Sequence, residues 1–191
     1  MSNKSLDIIH DEHRALAAML SGLRGLVASI EAGRLKPDFE LMASMIEYIE
    51  MVPEKVHHPK EDSYLFARLR ERSAEALPII ERLEAEHREG DARMATLRAA
   101  LEAYRREGES GLAGFQGALK TYIEHEWQHM NTEEHLIFPL ARKHLSAEDW
   151  AHIDAAFLAN DNPWQGPAGK YAALFTRIVN TAPAPVGLGG G

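Results

Sequence analysis

The chain has 191 residues, of which 45% are hydrophobic and 26% are charged, an ordinary composition for a soluble globular protein of one domain. Its formal net charge of −8 argues against nucleic acid or an anionic membrane surface as a partner. The chain has no cysteine, so any metal must be held by nitrogen and oxygen ligands, and disulfide scaffolds and iron–sulfur clusters are excluded.

The N-terminal sequence MSNKSLDIIHDEH lacks the apolar core of a signal peptide. No run of about 18 apolar residues predicts a membrane span. We therefore expect a cytoplasmic protein with no membrane partner.

A first helix is predicted by a stripe of residues at alternating spacings of three and four. The stripe consists of Leu6, Ile9, His13, Leu16, Leu20, Leu23, Val27 and Ile30. His13 is the one polar residue in it. Glycine and proline at positions 33–37 predict the end of this helix.

The second helical stretch, roughly residues 38–72, is less regular. Its apolar stripe leads into His57, Glu61 and Tyr64, and Pro53 and Pro59 fall within the pattern. Because proline removes a backbone hydrogen bond, we expect a kink or local irregularity around residues 53–59.

Two further helices follow breaks near residues 73–78 and 108–111. The stripe of the third is Ile80, Leu83, His87, Gly90, Met94, Leu97, Leu101 and Tyr104. The stripe of the fourth is Phe115, Leu119, Tyr122, Glu126, His129, Glu133, Leu136 and Leu140. In the fourth stripe three consecutive members are polar, and unpaired polar groups in a core cost several kcal/mol. The three polar side chains therefore need a partner in the core that offsets this cost.

These patterns predict an all-α fold, an up-down-up-down four-helix bundle over residues 1–145. A capping box at residues 146–149 predicts a fifth helix to about residue 160. After a turn at 162–167, Tyr171, Leu174, Phe175 and Ile178 predict an amphipathic sixth helix. Residues 146–181 would form an extension packed on the bundle, followed by a flexible tail over 182–191.

A histidine followed four residues later by a glutamate occurs twice, as His57 with Glu61 and His129 with Glu133. Residues four apart share one face of a helix. Each pair is preceded, more than forty residues upstream, by a single stripe histidine, His13 or His87. One such histidine is more often a core residue than a ligand. One such histidine on each of four helices, together with two inward glutamates, instead forms the ligand set for a pair of divalent metals.

These residues resemble the hemerythrin-like HHE cation-binding family, four-helix bundles with a non-haem di-iron centre. The matching segments are Asp11-Glu12-His13, His57-His58-Pro59-Lys60-Glu61-Asp62, Glu86-His87 and His129-Met-Asn-Thr-Glu133-Glu134, followed by Phe138-Pro139. The resemblance covers about residues 5–145. It implies two iron ions with an oxo or hydroxo bridge, held by His13, His57, Glu61, His87, His129 and Glu133. In it, Glu61 and Glu133 are the bridging carboxylates.

The chain departs from the oxygen-carrying members of this family, which have a further histidine where Leu83 stands here. Each iron would then have four protein donors, so both irons could keep an open position. His125, one helical turn before His129, is a candidate for a fifth nitrogen ligand.

The function indicated is a di-iron protein that binds or senses a small diatomic ligand, O2 or NO, or handles iron under oxidative or nitrosative stress. Manganese or zinc could replace iron. A binding role is favoured over an enzymatic one, although redox activity stays open. A redox partner or a homo-oligomer is also compatible with the sequence.

A ferritin-like carboxylate-bridged oxidase, ferroxidase or peroxidase is the alternative. It would use the Glu-x-x-His pairs Glu54–His57 and Glu126–His129, with Glu12 and Glu86 as single glutamates. This alternative places His13 and His87 away from the metal, which their stripe positions disfavour.

Residues next to the predicted ligands receive supporting roles. Glu12 and Glu86 are candidate acceptors for the second ring nitrogen of a ligand histidine. Asp62 and Glu134 are expected to face solvent or to serve as such acceptors. His58 and His135 are expected to point away from the metal, either as residues that support the ligands or as exposed residues.

Overall fold

The computed structural model describes residues 3–159 and residues 176, 178 and 180, without the side chains of residues 52–54. This part of the chain is all-helical and contains no strand. None of the helices in it combines the length and the apolar character that crossing a membrane requires.

The helices form four long runs and one shorter helix. The first run is α1, Lys4–Glu31. The second run comprises α2, Phe39–Ile49; π1, Glu50–His57; α3, His58–Lys60; π2, Glu61–Phe66; and α4, Ala67–Arg72. A 3-10 turn, Ala74–Ala76, leads to the third run, α5, Leu77–Glu107. The fourth run comprises α6, Glu109–Thr132; π3, Glu133–Ile137; and α7, Phe138–His144; the shorter helix α8, Ala147–Leu158, follows.

The breaks between runs lie where the sequence predicts them. Asp38 caps α2 by accepting a hydrogen bond from the backbone N–H of Leu41. Gly108, with φ of 65°, separates α5 from α6. Three residues later the two helices touch, since a Cβ atom built on Gly111 would lie 2.7 Å from the Cα atom of Tyr104. Only glycine permits this approach.

The second and fourth runs contain π-helical turns at equivalent places. A π-helical turn has one more residue per hydrogen-bonded ring than an α-helical turn. In the second run this confirms the irregularity expected near the prolines. In the fourth run it was not predicted, and it corrects the stripe: Leu136 is exposed and Leu140 only partly buried, whereas Ile137 and Ala141 are buried.

The wider turns explain this correction. In the fourth run the buried positions after the polar residues follow a constant spacing of four, at 129, 133, 137 and 141. The second run repeats it at 57, 61, 65 and 69, with Leu65 rather than Tyr64 buried. An α-helix of 3.6 residues per turn would rotate these positions off the face. Widened turns keep them facing the interior.

The apolar core has two parts, one on each side of a polar layer. The distal core includes Leu16, Leu20, Leu23, Met42, Met45, Ile49, Met94, Leu97, Leu101, Phe115, Leu119 and Met130. The proximal core includes Leu6, Ile9, Leu65, Phe66, Leu69, Ile80, Leu83, Ile137, Phe138, Ala141, Ile153 and Phe157. His13 lies in sequence between Ile9 of one core and Leu16 of the other, so the layer between the cores contains the predicted ligands.

Helix α8 covers the proximal core. It begins with the predicted capping box, in which Ser146 and Asp149 exchange hydrogen bonds, and it ends at Leu158. Asp149 also accepts from the Arg72 guanidinium at 2.9 Å, and Asp154 accepts from the Ser5 hydroxyl at 2.6 Å.

The predicted turn at 162–167, most of the predicted sixth helix and the tail at 182–191 lie outside the described residues. Within the sixth-helix region, residues 176, 178 and 180 are helical. Ile178 is buried in the distal core.

Candidate metal centre

The six predicted ligand side chains converge in the polar layer, although they come from four different helical runs. Each of these side chains is at most 5% exposed: His13, His57, Glu61, His87, His129 and Glu133. The two glutamates, on π2 and π3, are completely buried.

The six residues form two overlapping groups, each of which could hold a metal ion. One group is His13, His57, Glu61 and Glu133, and the other is His87, His129, Glu61 and Glu133. Within each group one ligand atom from every residue lies within 4.8 Å of the others. Glu61 and Glu133 belong to both groups, so their carboxylates lie between two pairs of imidazoles.

The Nε2 atoms of the histidines point to the centre. His57 Nε2 lies 3.3 Å from Glu61 Oε2, and His129 Nε2 lies 3.3 Å from Glu133 Oε1, so the four-residue spacing brings each pair together. His13 Nε2 reaches across to Glu133 Oε2 at 3.1 Å. His87 Nε2 lies 3.8 Å from Glu61 Oε2, the longest of these four approaches.

The other ring nitrogen of every histidine contacts a carboxylate outside the two groups. The Nδ1 atoms of His13, His57, His87 and His129 lie 2.8, 2.6, 2.8 and 2.8 Å from carboxylate oxygens of Glu134, Glu12, Asp62 and Glu86, respectively. An imidazole that donates its Nδ1–H to a carboxylate presents the lone pair of Nε2 on its opposite side. This fixes the tautomer suited to metal binding.

The Nε2 atoms then lie close to one another in two pairs. His13 and His57 approach to 3.2 Å, and His87 and His129 approach to 3.0 Å. Two lone pairs at such distances repel each other unless a proton or a cation lies between them. In addition, neither oxygen of Glu61 or Glu133 has a hydrogen-bond partner in the described part of the protein. Buried lone pairs of this kind fit divalent cations.

Comparison with known families agrees with this geometry. The family model described as Hemerythrin HHE cation binding domain matches residues 4–141. The chain belongs to the hemerythrin HHE family. Comparisons with curated proteins and with solved structures found no match.

Electrostatics at the hemerythrin-like centre couples the imidazoles to the carboxylates. Burial alone would lower the pKa of His57, but the charge of Glu61 and the hydrogen bond to Glu12 raise it well above its ordinary value. His129 behaves in the same way, because Glu133 and Glu86 outweigh its burial. Burial and the charge of Glu133 raise the pKa of Glu61. Protons and a cation therefore compete for the nitrogen atoms of this centre.

The ferritin-like alternative does not fit the observed contacts. It requires Glu12 and Glu86 at the metal, but each of them instead accepts from the outer nitrogen of a histidine. It also leaves out His13 and His87, whose Nε2 atoms are inside the cluster. The side chain of Glu54, its other glutamate, lies outside the described residues.

His58 lies next to the predicted ligands, which was one of its two predicted roles, but its side chain does not point away from the centre as predicted. Its side chain is buried, and its ring stacks on that of His87 with centroids 4.1 Å apart. The 100° rotation between neighbouring residues that motivated the prediction applies to a regular α-helix, whereas His58 lies between two π-helical turns. Burial and the nearby His87 hold the pKa of His58 well below its usual range.

His125 lies at the edge of the centre rather than within it. It groups with Glu86 and His129, and it belongs to neither of the two groups that share Glu61 and Glu133. His135 is exposed, as expected, and its ring nitrogen bonds to the backbone oxygen of Asn131.

A small cavity adjoins the cluster on the side of the distal core. Its volume is about 10 Å³, room for about one water-sized molecule. The lining residues are Glu12, His13, Leu16, His57, His58, Glu126, His129 and Met130. The cavity thus brings two residues that the ligand prediction did not include, His58 and Glu126, next to three that it did.

Proposed function

We propose that this protein binds two iron ions between its four helical runs and uses them to bind or sense a small diatomic ligand, O2 or NO. The observation that carries the proposal is the pairing of four inward Nε2 atoms around two shared carboxylates, with every Nδ1 atom facing an outer carboxylate. Manganese or zinc would fit the same donors. The match to the hemerythrin HHE family favours iron.

The donor set supports open positions on the metals. Two histidines and one oxygen from each of Glu61 and Glu133 would give each ion four protein donors, which leaves room for a further ligand. A pair of ferrous ions held this way would supply electrons and a coordination position to O2 or NO. A small cavity of about 10 Å³ adjoins these donors.

The chain's own residues prepare this position in three ways. The outer carboxylates orient the imidazoles so that each Nε2 atom faces the centre. The two apolar cores above and below the polar layer exclude water. The carboxylates of Glu61 and Glu133 offset the charge of two cations in a site from which solvent is removed.

We also propose that the four runs alternate in direction as an up-down-up-down bundle. His13 and His87 lie in the N-terminal halves of α1 and α5. His57 and His129 lie in the C-terminal halves of the second and fourth runs. All four meet in one layer, which alternating directions explain directly.

The test is anaerobic loading of the metal-free protein with ferrous iron, quantification of bound iron, and optical spectra before and after air or nitric oxide. We expect two iron ions per chain and a spectral change with either gas. His13→Leu and His87→Leu should each lower the iron content to one ion or fewer, whereas exposed His152, changed to Asn, serves as the control.

Unaltered iron content in both leucine variants would contradict the proposed ligands. Rapid turnover of peroxide or O2, without a stable adduct, would assign the centre to an oxidase or peroxidase instead.

A further inference from the structure

Glu126 is a buried carboxyl group that the proposed ligand set does not use. It lies on α6, one turn before His129, and is 1% exposed. It belongs to none of the residue groups that could hold a metal ion. Its Oε2 atom has no hydrogen-bond partner in the described part of the chain.

The neighbours of Glu126 on the same face show how unusual this placement is. Phe115, Leu119 and Tyr122 precede it on α6, and all three pack in the distal core. Burying a carboxyl group without a partner for one oxygen costs stability, which an apolar residue at this position would avoid. A contribution to folding therefore does not explain Glu126.

The position of Glu126 supplies another explanation. Its side chain lines the small cavity beside the cluster, together with His13 and His129. Burial raises the pKa of the Glu126 carboxyl group, and in its protonated form this group has an O–H to donate. Leu16 and Met130, which also line the cavity, are apolar, whereas His58 is a second polar lining residue outside the predicted ligands.

We propose that Glu126 is a hydrogen-bonding residue of the ligand cavity, donating to a water-sized, hydrogen-bond-accepting molecule held beside His13 and His129. This inference rests on the proposed function, because it concerns the ligand of that same centre. Glu126 is then a ligand-positioning residue. The cavity volume sets the size of the ligand, and the carboxyl group selects for an acceptor atom within it.

The test compares Glu126→Leu, which removes the donor, with Glu126→Gln, which keeps one. Glu124→Gln is the matched control, since Glu124 is an exposed residue on the same helix. The probe is nitric oxide added anaerobically to the ferrous-loaded protein. The measurements are the NO dissociation rate, the N–O stretching frequency, the iron content and the melting temperature of the metal-free protein.

We expect Glu126→Leu to release NO about tenfold faster, the effect of one lost hydrogen bond, and to shift the N–O stretch. Glu126→Gln should stay within about threefold of the native rate, and Glu124→Gln should match it. The metal-free Glu126→Leu protein should melt at or above the native temperature, whereas a structural role for Glu126 predicts a lower one.

The inference is overturned if Glu126→Leu binds iron normally and releases NO at the native rate. It is also overturned if the leucine and glutamine variants lose stability and NO affinity to the same extent. If the native protein binds no iron, the proposed function fails and this inference fails with it. Normal iron and NO binding by the native protein, with no effect of Glu126→Leu, refutes the inference alone.

Discussion

The four carboxylates behind the imidazoles differ in burial, which predicts how much each contributes to metal affinity. Their side chains are 7% exposed for Glu12, 17% for Glu86, 28% for Glu134 and 36% for Asp62. All four contact Nδ1 at similar distances, between 2.6 and 2.8 Å. The amides Glu12→Gln, Glu86→Gln, Glu134→Gln and Asp62→Asn remove the charge and nearly preserve the shape.

The expected magnitude follows from what replaces the lost charge. Changing the outer partner of a metal-bound histidine costs about 10- to 100-fold in metal affinity, or about 1.4 to 2.8 kcal/mol. Glu12 is shielded from water, so its substitution should fall near the upper end of this range. Water can reach the Nδ1 atom of His87, which Asp62 contacts, and can replace part of this interaction. Asp62→Asn should therefore lower the metal affinity by about tenfold or less.

The assay is competition for ferrous iron between each variant and a chromogenic chelator under anaerobic conditions. Exposed Glu89, changed to Gln, is the control and should leave the affinity unchanged. We expect the losses to rank as Glu12, Glu86, Glu134 and Asp62, from largest to smallest. Equal losses at all four positions, or the largest loss at Asp62, would refute the argument from burial.

Three further predictions concern stability. In urea unfolding, Gly111→Ala should lower the free energy of unfolding by about 1–3 kcal/mol, because the new Cβ atom would meet the backbone of Tyr104. Gly114→Ala should raise the free energy of unfolding by about 0.5–1 kcal/mol, because the space around Gly114 is open. Ser146→Ala removes the cap of α8 and should cost about 1 kcal/mol, with faster hydrogen exchange confined to that helix; an unchanged value would contradict the cap. The pKa values of His57 and His129 are raised in the folded state, so the stability they add is present below their ordinary value of 6.5 and is lost as the pH rises through the raised values. The metal-free protein should therefore melt at a lower temperature at pH 8.5 than at pH 6. Stabilisation by iron should increase from pH 6 to pH 8.5, because metal and protons compete for the same nitrogen atoms. Equal melting temperatures of the metal-free protein at the two pH values would count against this prediction.

The sequence alone predicted the features that depend on local helical geometry. A spacing of four residues places His57 over Glu61 and His129 over Glu133 on any helix, so these pairs followed from counting. The stripes of the first and third helices predicted the inward positions of His13 and His87, since both helices are regular throughout. The presence of Pro53 and Pro59 predicted the irregularity of the second run.

Where the backbone departs from the α-helix, counting gave the wrong face. The π-helical turn Glu133–Ile137 contains no proline from which it could have been predicted. Because of this turn, Ile137 is buried instead of Leu136, the residue that the stripe predicted. The inward direction of the His58 side chain was missed for the same reason.

Tertiary structure decided which groups meet across helices. The sequence offered Glu12 and Glu86 as acceptors without saying which imidazole each one serves, and only the packing pairs them with His57 and His129. It likewise decided that Glu126 lines a cavity rather than joining the predicted ligands. Contacts within a helix are fixed by its pitch, whereas contacts between helices depend on their rotation and relative height, which the two apolar cores determine together.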